Sequence, residues 1–150
     1  MKQLFETETT NEFVNRIHKL TPKTQAQWGK MNVSQMLAHA QVGLKTANGT
    51  LKPKSNKLLS LLFGKYFKKK ILGSEQFEKN QPTFNEAKIR DERNFESEKN
   101  KLIHLILSFQ SKGWESFSKE KHPLFGEMSP QDWNNLQVKH LDHHLRQFGV

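Results

Sequence analysis

Ser129-Pro130-Gln131-Asp132-Trp133-Asn134-Asn135-Leu136-Gln137-Val138-Lys139-His140-Leu141-Asp142-His143-His144-Leu145-Arg146-Gln147-Phe148 is the stretch on which the fold turns. Ser129 is a strong N-cap residue, Pro130 suits the first helical position, and Asp132 stands at N3. Trp133, Leu136, Leu141 and Leu145 then recur at helical spacing as far as Phe148. Residues four apart on a helix lie about 40° apart in projection, so His140 and His144 share a face, with Trp133 and Gln137 in line with them. Leu136, Leu141 and Phe148 flank that stripe, which puts the histidine pair at the border of the buried face.

Three earlier segments have the same period. Thr9 and Glu12 have capping-box spacing ahead of Phe13, Val14, Ile17 and Leu20, and Pro22 follows closely. Asn32 and Gln35 repeat that spacing ahead of Met36, Leu37, Ala40, Leu44 and Ala47, and Asn48-Gly49 supplies the stop. From about Asn94, Phe95, Leu102 and Phe109 recur seven apart, with Leu105 and Ile106 beside them, until Gly113. A fifth, shorter helix is predicted at about 57–72, where Leu58, Leu61, Leu62, Phe63 and Phe67 crowd together. Alternating β-branched runs are missing, so the fold class is all-α: a four-helix bundle with long connections.

The length of 150 residues, with no repeat and no composition break, fits one domain over 1–150. Only 34 % of residues are apolar, but eleven Phe and three Trp each bury a large area, so a real core is within reach. Cysteine is absent, which excludes disulfides, Cys-based zinc sites, iron–sulfur clusters and a Cys nucleophile. No apolar run approaches the roughly 20 residues of a membrane span, and Met1 to Glu6 do not read as a signal peptide. A cytoplasmic protein is the expectation.

The net charge of +9 favours an anionic partner. It is concentrated in residues 45–74, which hold eight lysines and no acidic residue. Lys65, Lys68, Lys69 and Lys70 beside Leu58, Leu62, Phe63 and Phe67 have the pattern of a basic amphipathic helix, which can bind anionic lipid or nucleic acid. Lysine stems also cover apolar surface while their heads stay in water, and a solvated helix face takes precedence.

Histidine is the functional signal. An HxxxH pair on the inner edge of a helix offers two metal ligands, and His39 is the best third one, at the border of its apolar face near Met36 and Gly43. His143 is the rival to His144, since an i,i+3 pair with His140 also chelates, although it lies toward the polar side of Lys139 and Arg146. His104 reads as a core-edge residue and His18 as a surface one. His122, before Pro123, reads as a turn residue that can also face the metal pocket, with Gln137 and Trp133 as further lining. Arg146 and Gln137 are candidates for holding an anionic substrate, and Asp142 projects away from the pair.

Trp28-Gly29-Lys30-Met31-Asn32-Val33-Ser34-Gln35-Met36-Leu37-Ala38-His39 resembles the second-helix signature of the DinB-like superfamily of metal-binding helical bundles. His122-Pro123-Leu124-Phe125-Gly126, Ser129 to Trp133 and His140 to Gly149 resemble one uncharacterised branch of it. The resemblance implies a metal held by a second-helix histidine and a last-helix HxxxH pair, here His39, His140 and His144. It also implies thiol-dependent transferase chemistry with a low-molecular-weight thiol among the possible activities; hydrolysis is the other. Three imidazoles leave a coordination position open, as catalytic sites do, and all-nitrogen ligation suits zinc or nickel first, then iron or copper. A small-molecule substrate is the expected partner, with membrane and nucleic acid ranking below it; a dimer is compatible with this reading. The competing class is a non-catalytic interaction protein with a structural metal and a working basic tract.

Overall fold

The computed structural model describes residues 2–54, 61, 64, 66, 68, 69, 73, 75–80, 83–119 and 121–150. Four α-helices lie within them: α1 over Thr7–His18, α2 over Val33–Ala47, α3 over Phe95–Lys112 and α4 over Pro130–Gln147. Short 3-10 turns occupy Asn85–Ala87 and Gly113–Ser116. Among the described residues there is no strand, only a single antiparallel bridge between His122 and Gly126. The short helix predicted at 57–72 falls largely outside the described residues.

Three helix starts follow the sequence signals. Asn32 Oδ1 accepts from Gln35 N at 2.9 Å while Gln35 Oε1 accepts from Asn32 N at 3.0 Å, a complete capping box. Asn94 Oδ1 caps α3 through Ser97 N at 2.9 Å. Ser129 and Asp132 form the second box, with both bonds at 3.1 Å. The first helix differs from expectation: it begins at Thr7 with Glu6 as its N-cap, and Thr9 is a buried residue of its first turn. The entry segment explains this. Leu4 N is held by Asn134 Oδ1 at 2.8 Å, and Thr10 Oγ1 donates to Leu4 O at 2.8 Å, so the chain is pinned ahead of Thr9 and the helix starts sooner.

Both α1 and α2 pack against α3 and α4, so α1 and α2 take opposite corners of the bundle, as do α3 and α4. Phe13, Ile17, Met36, Leu37, Leu44, Leu102, Ile106, Phe109, Trp133, Leu141 and Leu145 meet in the centre. α2 is the most enclosed element, with twelve of its fifteen residues buried. Its Ala38, Ala40, Gly43 and Ala47 let neighbouring backbones come close, and Ala87 of the long connection packs over it. No described helix is long and apolar enough to cross a membrane.

The basic tract is partly tied down. Lys68 Nζ pairs with Asp132 Oδ2 at 3.1 Å and donates to Glu127 O, so it braces the start of α4. Lys57, Lys65 and Lys70 lie outside the described residues. Ser129→Ala should lower stability by about 1 kcal/mol in urea unfolding, because it removes the cap of the helix bearing His140 and His144. Lys68→Gln should cost less than about 1 kcal/mol, as a part-exposed ion pair does.

Candidate metal centre

His39 lies on α2, and His140 and His144 lie one turn apart on α4. Because α2 and α4 are neighbours, the three rings meet: one nitrogen from each falls within 4.8 Å of the others. His39 Nε2 and His140 Nε2 are 3.1 Å apart. Ring centroids are 4.5 Å apart for His39 and His144, and 4.6 Å for His140 and His144.

Two of these rings have their proton fixed by a neighbour. His39 Nδ1 is 2.7 Å from Ala87 O; a carbonyl can only accept, so Nδ1 carries the hydrogen and Nε2 a lone pair. His144 Nδ1 is 2.8 Å from Gln147 Oε1, and Gln147 Nε2 donates to Trp28 O at 2.7 Å. That second bond fixes the amide, so His144 also donates from Nδ1 and presents a bare Nε2. A carbonyl or amide oxygen behind a ligating imidazole is how metal sites orient their histidines.

His140 completes the test of fit. In the metal-free arrangement its Nε2 hydrogen is shared with the bare Nε2 of His39, which leaves His140 Nδ1 a bare acceptor. Nδ1 and Gln137 Oε1 are both buried without a partner. Both lie over Gly43, where a Cβ would meet each at 2.9 Å. With its Nε2 given to an ion, His140 would carry its hydrogen on Nδ1, in the same buried space as the Gln137 Oε1 acceptor. Buried unpaired polar atoms cost about 1–3 kcal/mol each, so these residues suit the loaded state better than the empty one. Tetrahedral ligands at about 2.0–2.1 Å from zinc stand about 3.4 Å apart, between the 3.1 Å that separates His39 Nε2 from His140 Nε2 and the 4.8 Å that bounds the set.

Burial keeps the cluster neutral. It pushes His144 down to about 3 and His140 well below its ordinary value of 6.5, with the neighbouring histidines adding to both. Burial also lowers His39, partly offset by the bond to Ala87. Neutral rings are what a cation needs.

The cluster borders a cavity of about 660 Å³. Trp28, Met31, Phe77, Phe84, Leu124 and Phe125 supply apolar wall, and Lys30, Lys88 and Arg90 supply positive charge against Glu78. Gln137 and His122 line it, as the sequence reading proposed. Trp133 does not: it is fully buried, lines a smaller cavity with Thr46 and Ser118, and packs against the His122 ring at 5.1 Å.

Other expectations change as well. His143 is buried rather than on a polar face, because Trp28 and Phe77 fold over it from two connections, with ring centroids 5.7 and 5.8 Å away. It lines the cavity but is not one of the three converging rings. His104 is exposed, since it points off the outer face of α3, and His18 is exposed as expected. Arg146 is held by Asp142 at 2.9 Å, outside the cavity lining. Asp142 also pairs with Arg16 at 2.9 Å, so it ties α4 to α1; its charge acts on His143 and not on the three clustered rings. Sequence reading missed Ala87 O, Gln147 and Trp28. Gln147 carried a usable signal, three residues after His144; Ala87 carried none.

A family model described as "Protein of unknown function (DUF1569)" matches residues 2–149. The chain belongs to the DUF1569 family. All three clustered histidines, the loop at His122 and the cavity walls lie within the matched DUF1569 span. No curated protein and no solved structure matches the chain.

The pKa directions give this DUF1569 chain a pH signature. In the unfolded chain these histidines titrate near their ordinary 6.5, whereas His144 and His122 titrate at about 3 in the folded one. Between those values the unfolded chain binds more protons, so stability is flat above 6.5 and falls as pH drops below it, by up to about 1.4 kcal/mol per pH unit per histidine. Urea unfolding of metal-free protein should show this loss between about pH 6.5 and 5, above the carboxylate range. Constant stability across that window contradicts the neutral buried cluster.

Proposed function

We propose that this chain is a DinB-like domain that holds one divalent metal on His39, His140 and His144 and acts on a small molecule in the adjoining cavity. The observation that carries this is the convergence of three neutral rings, two with Nε2 bared by a neighbour, beside a cavity rather than in a sealed core. A structural ion needs a closed, fully protein-ligated shell; three ligands beside open space fit a catalytic one. Zinc and nickel lead among the metals, with iron and copper behind them. When bound, the ion supplies Lewis-acid chemistry: it lowers the pKa of a bound water or thiol, or polarises a carbonyl.

The chain's own residues do the rest. Ala87 O and Gln147 hold two rings in register, and Gln137 Oε1 lies in the same buried space as the Nδ1 of the third. Phe77, Phe84 and Phe125 restrict water around the ligand. The activity class is a metal-dependent transferase or hydrolase. For the transferase branch the thiol comes from outside, since the chain has no cysteine. The interaction-protein alternative rests on the basic tract, and the engagement of Lys68 with α4 weakens it.

Metal analysis should find one ion per chain. His39→Ala, His140→Ala and His144→Ala should each lower metal content sharply, while His143→Ala should retain most of it. An ion that survives loss of His39 removes the triad. Zinc should raise the thermal midpoint of the parent protein and raise it far less in each triad variant, because a ligand specific to the folded state stabilises it by mass action. Cobalt-loaded protein titrated with a small thiol should develop a thiolate-to-cobalt charge-transfer band. A spectrum that does not change leaves hydrolysis.

A further inference from the structure

The loop before α4 is wound around one imidazole. His122 N donates to Gly126 O at 2.7 Å, and Gly126 N returns to His122 O at 3.0 Å. Within that closure the backbone N–H groups of Leu124 and Phe125 both donate to His122 Nδ1, each at 3.1 Å. Gly126 makes the turn at φ +70°, a region that favours glycine. The Phe125 ring lies flat on the imidazole, 4.1 Å away and 6° from parallel, and Trp133 leans on it at 5.1 Å. The ring is only 5 % exposed, yet it lines the main cavity.

An Nδ1 that accepts two N–H bonds carries no proton, so the neutral ring carries its hydrogen on Nε2. Burial pushes the group down to about 3, so the ring stays neutral at ordinary pH. Its Nε2–H meets no acceptor among the described residues, and Nε2 is not among the sealed unpaired atoms. Tautomer, rotation and position of this donor are all set in advance. A donor fixed before the ligand arrives loses little on binding and can act on charge that develops later.

We propose that His122 is a ligand-binding residue of the cavity, its Nε2–H donating to an oxygen of a small aromatic or apolar carboxylate held there. The aromatic walls fit the body of such a molecule. Lys30, Lys88 and Arg90 fit its charge. The assignment rests on the small-molecule reading of the cavity and does not require the ion.

Benzoate is the probe, titrated into ¹⁵N-labelled parent protein both metal-free and zinc-loaded. Long-range ¹H–¹⁵N spectra should show His122 as the Nε2–H tautomer, and benzoate should shift that resonance and the Leu124 and Phe125 amides saturably. His122→Asn places an amide oxygen where Nδ1 stands, so the loop keeps its acceptor, while its NH2 falls near the Cδ2 position and the donor at Nε2 is lost. Its affinity for benzoate should fall roughly tenfold or more, with zinc content unchanged. An Nδ1–H tautomer in the parent overturns the proposal, whatever the variant does. Equal benzoate affinity in His122→Asn overturns it too, and so does a parent protein whose cavity does not take benzoate. If zinc is not retained but the benzoate results hold, the metal reading fails and this one stands.

Discussion

Two helices can place three histidines on one ion only if their backbones come close enough, and here Gly43 sets that distance. A Cβ at this position would press on Gln137 Oε1 and His140 Nδ1 at 2.9 Å each. Without it, α4 lies directly against α2, His140 reaches His39, and His144 follows one turn on. The surrounding bundle serves this approach. α1 and α3 fill the other corners, Trp133 and Leu141 pack one side of α4, and Asp142 with Arg16 fastens its outer face to α1.

Helices are written locally, so they were legible from sequence. Asn32 with Gln35 and Ser129 with Asp132 announced their capping boxes, and four-residue spacing announced the His140 and His144 pair. Thr9 failed because its spacing was correct but a tertiary bond, Leu4 to Asn134, moved the start of α1 upstream. His143 failed for a related reason. Helical projection describes a helix alone, and the polar side of α4 is covered by Trp28 and Phe77 from segments with no period of their own. His104 misled in the opposite sense: apolar neighbours in sequence suggested a core edge, but its own angle on α3 points to solvent. What fixes the tautomer of His39 is a backbone carbonyl in the long connection, and no side-chain pattern reports a carbonyl.

Charge separates this cluster from a chance meeting of histidines. The chain carries +9, and three of its cations, Lys30, Lys88 and Arg90, line the cavity against one acid, Glu78. Protonated rings here would repel each other and their surroundings, and burial already holds them neutral. A divalent ion on three neutral ligands would bring two further positive charges with no carboxylate in the ligand set to offset them. Such a site gains from an anionic co-ligand in its open position, whether hydroxide, thiolate or carboxylate.

That electrostatic demand joins the two kinds of imidazole that line the cavity. In the cluster stand imidazoles whose protons are turned away into the protein, by Ala87 for His39 and by Gln147 for His144, so that lone pairs face inward. His122 also lines the cavity, and its loop does the reverse: two backbone N–H groups occupy its Nδ1 and leave the hydrogen on Nε2. The same side chain is thus set as an acceptor toward a cation and as a donor toward an anion, according to which neighbour binds its far nitrogen. Neither setting needs a change of protonation at neutral pH, since all of these rings are held below their ordinary range. A cavity built this way is polarised before anything enters it, with lone pairs presented by His39 and His144 and a hydrogen presented by His122. With a cation on the cluster, both groups would favour the negative end of a ligand dipole, and the aromatic walls would take its apolar remainder.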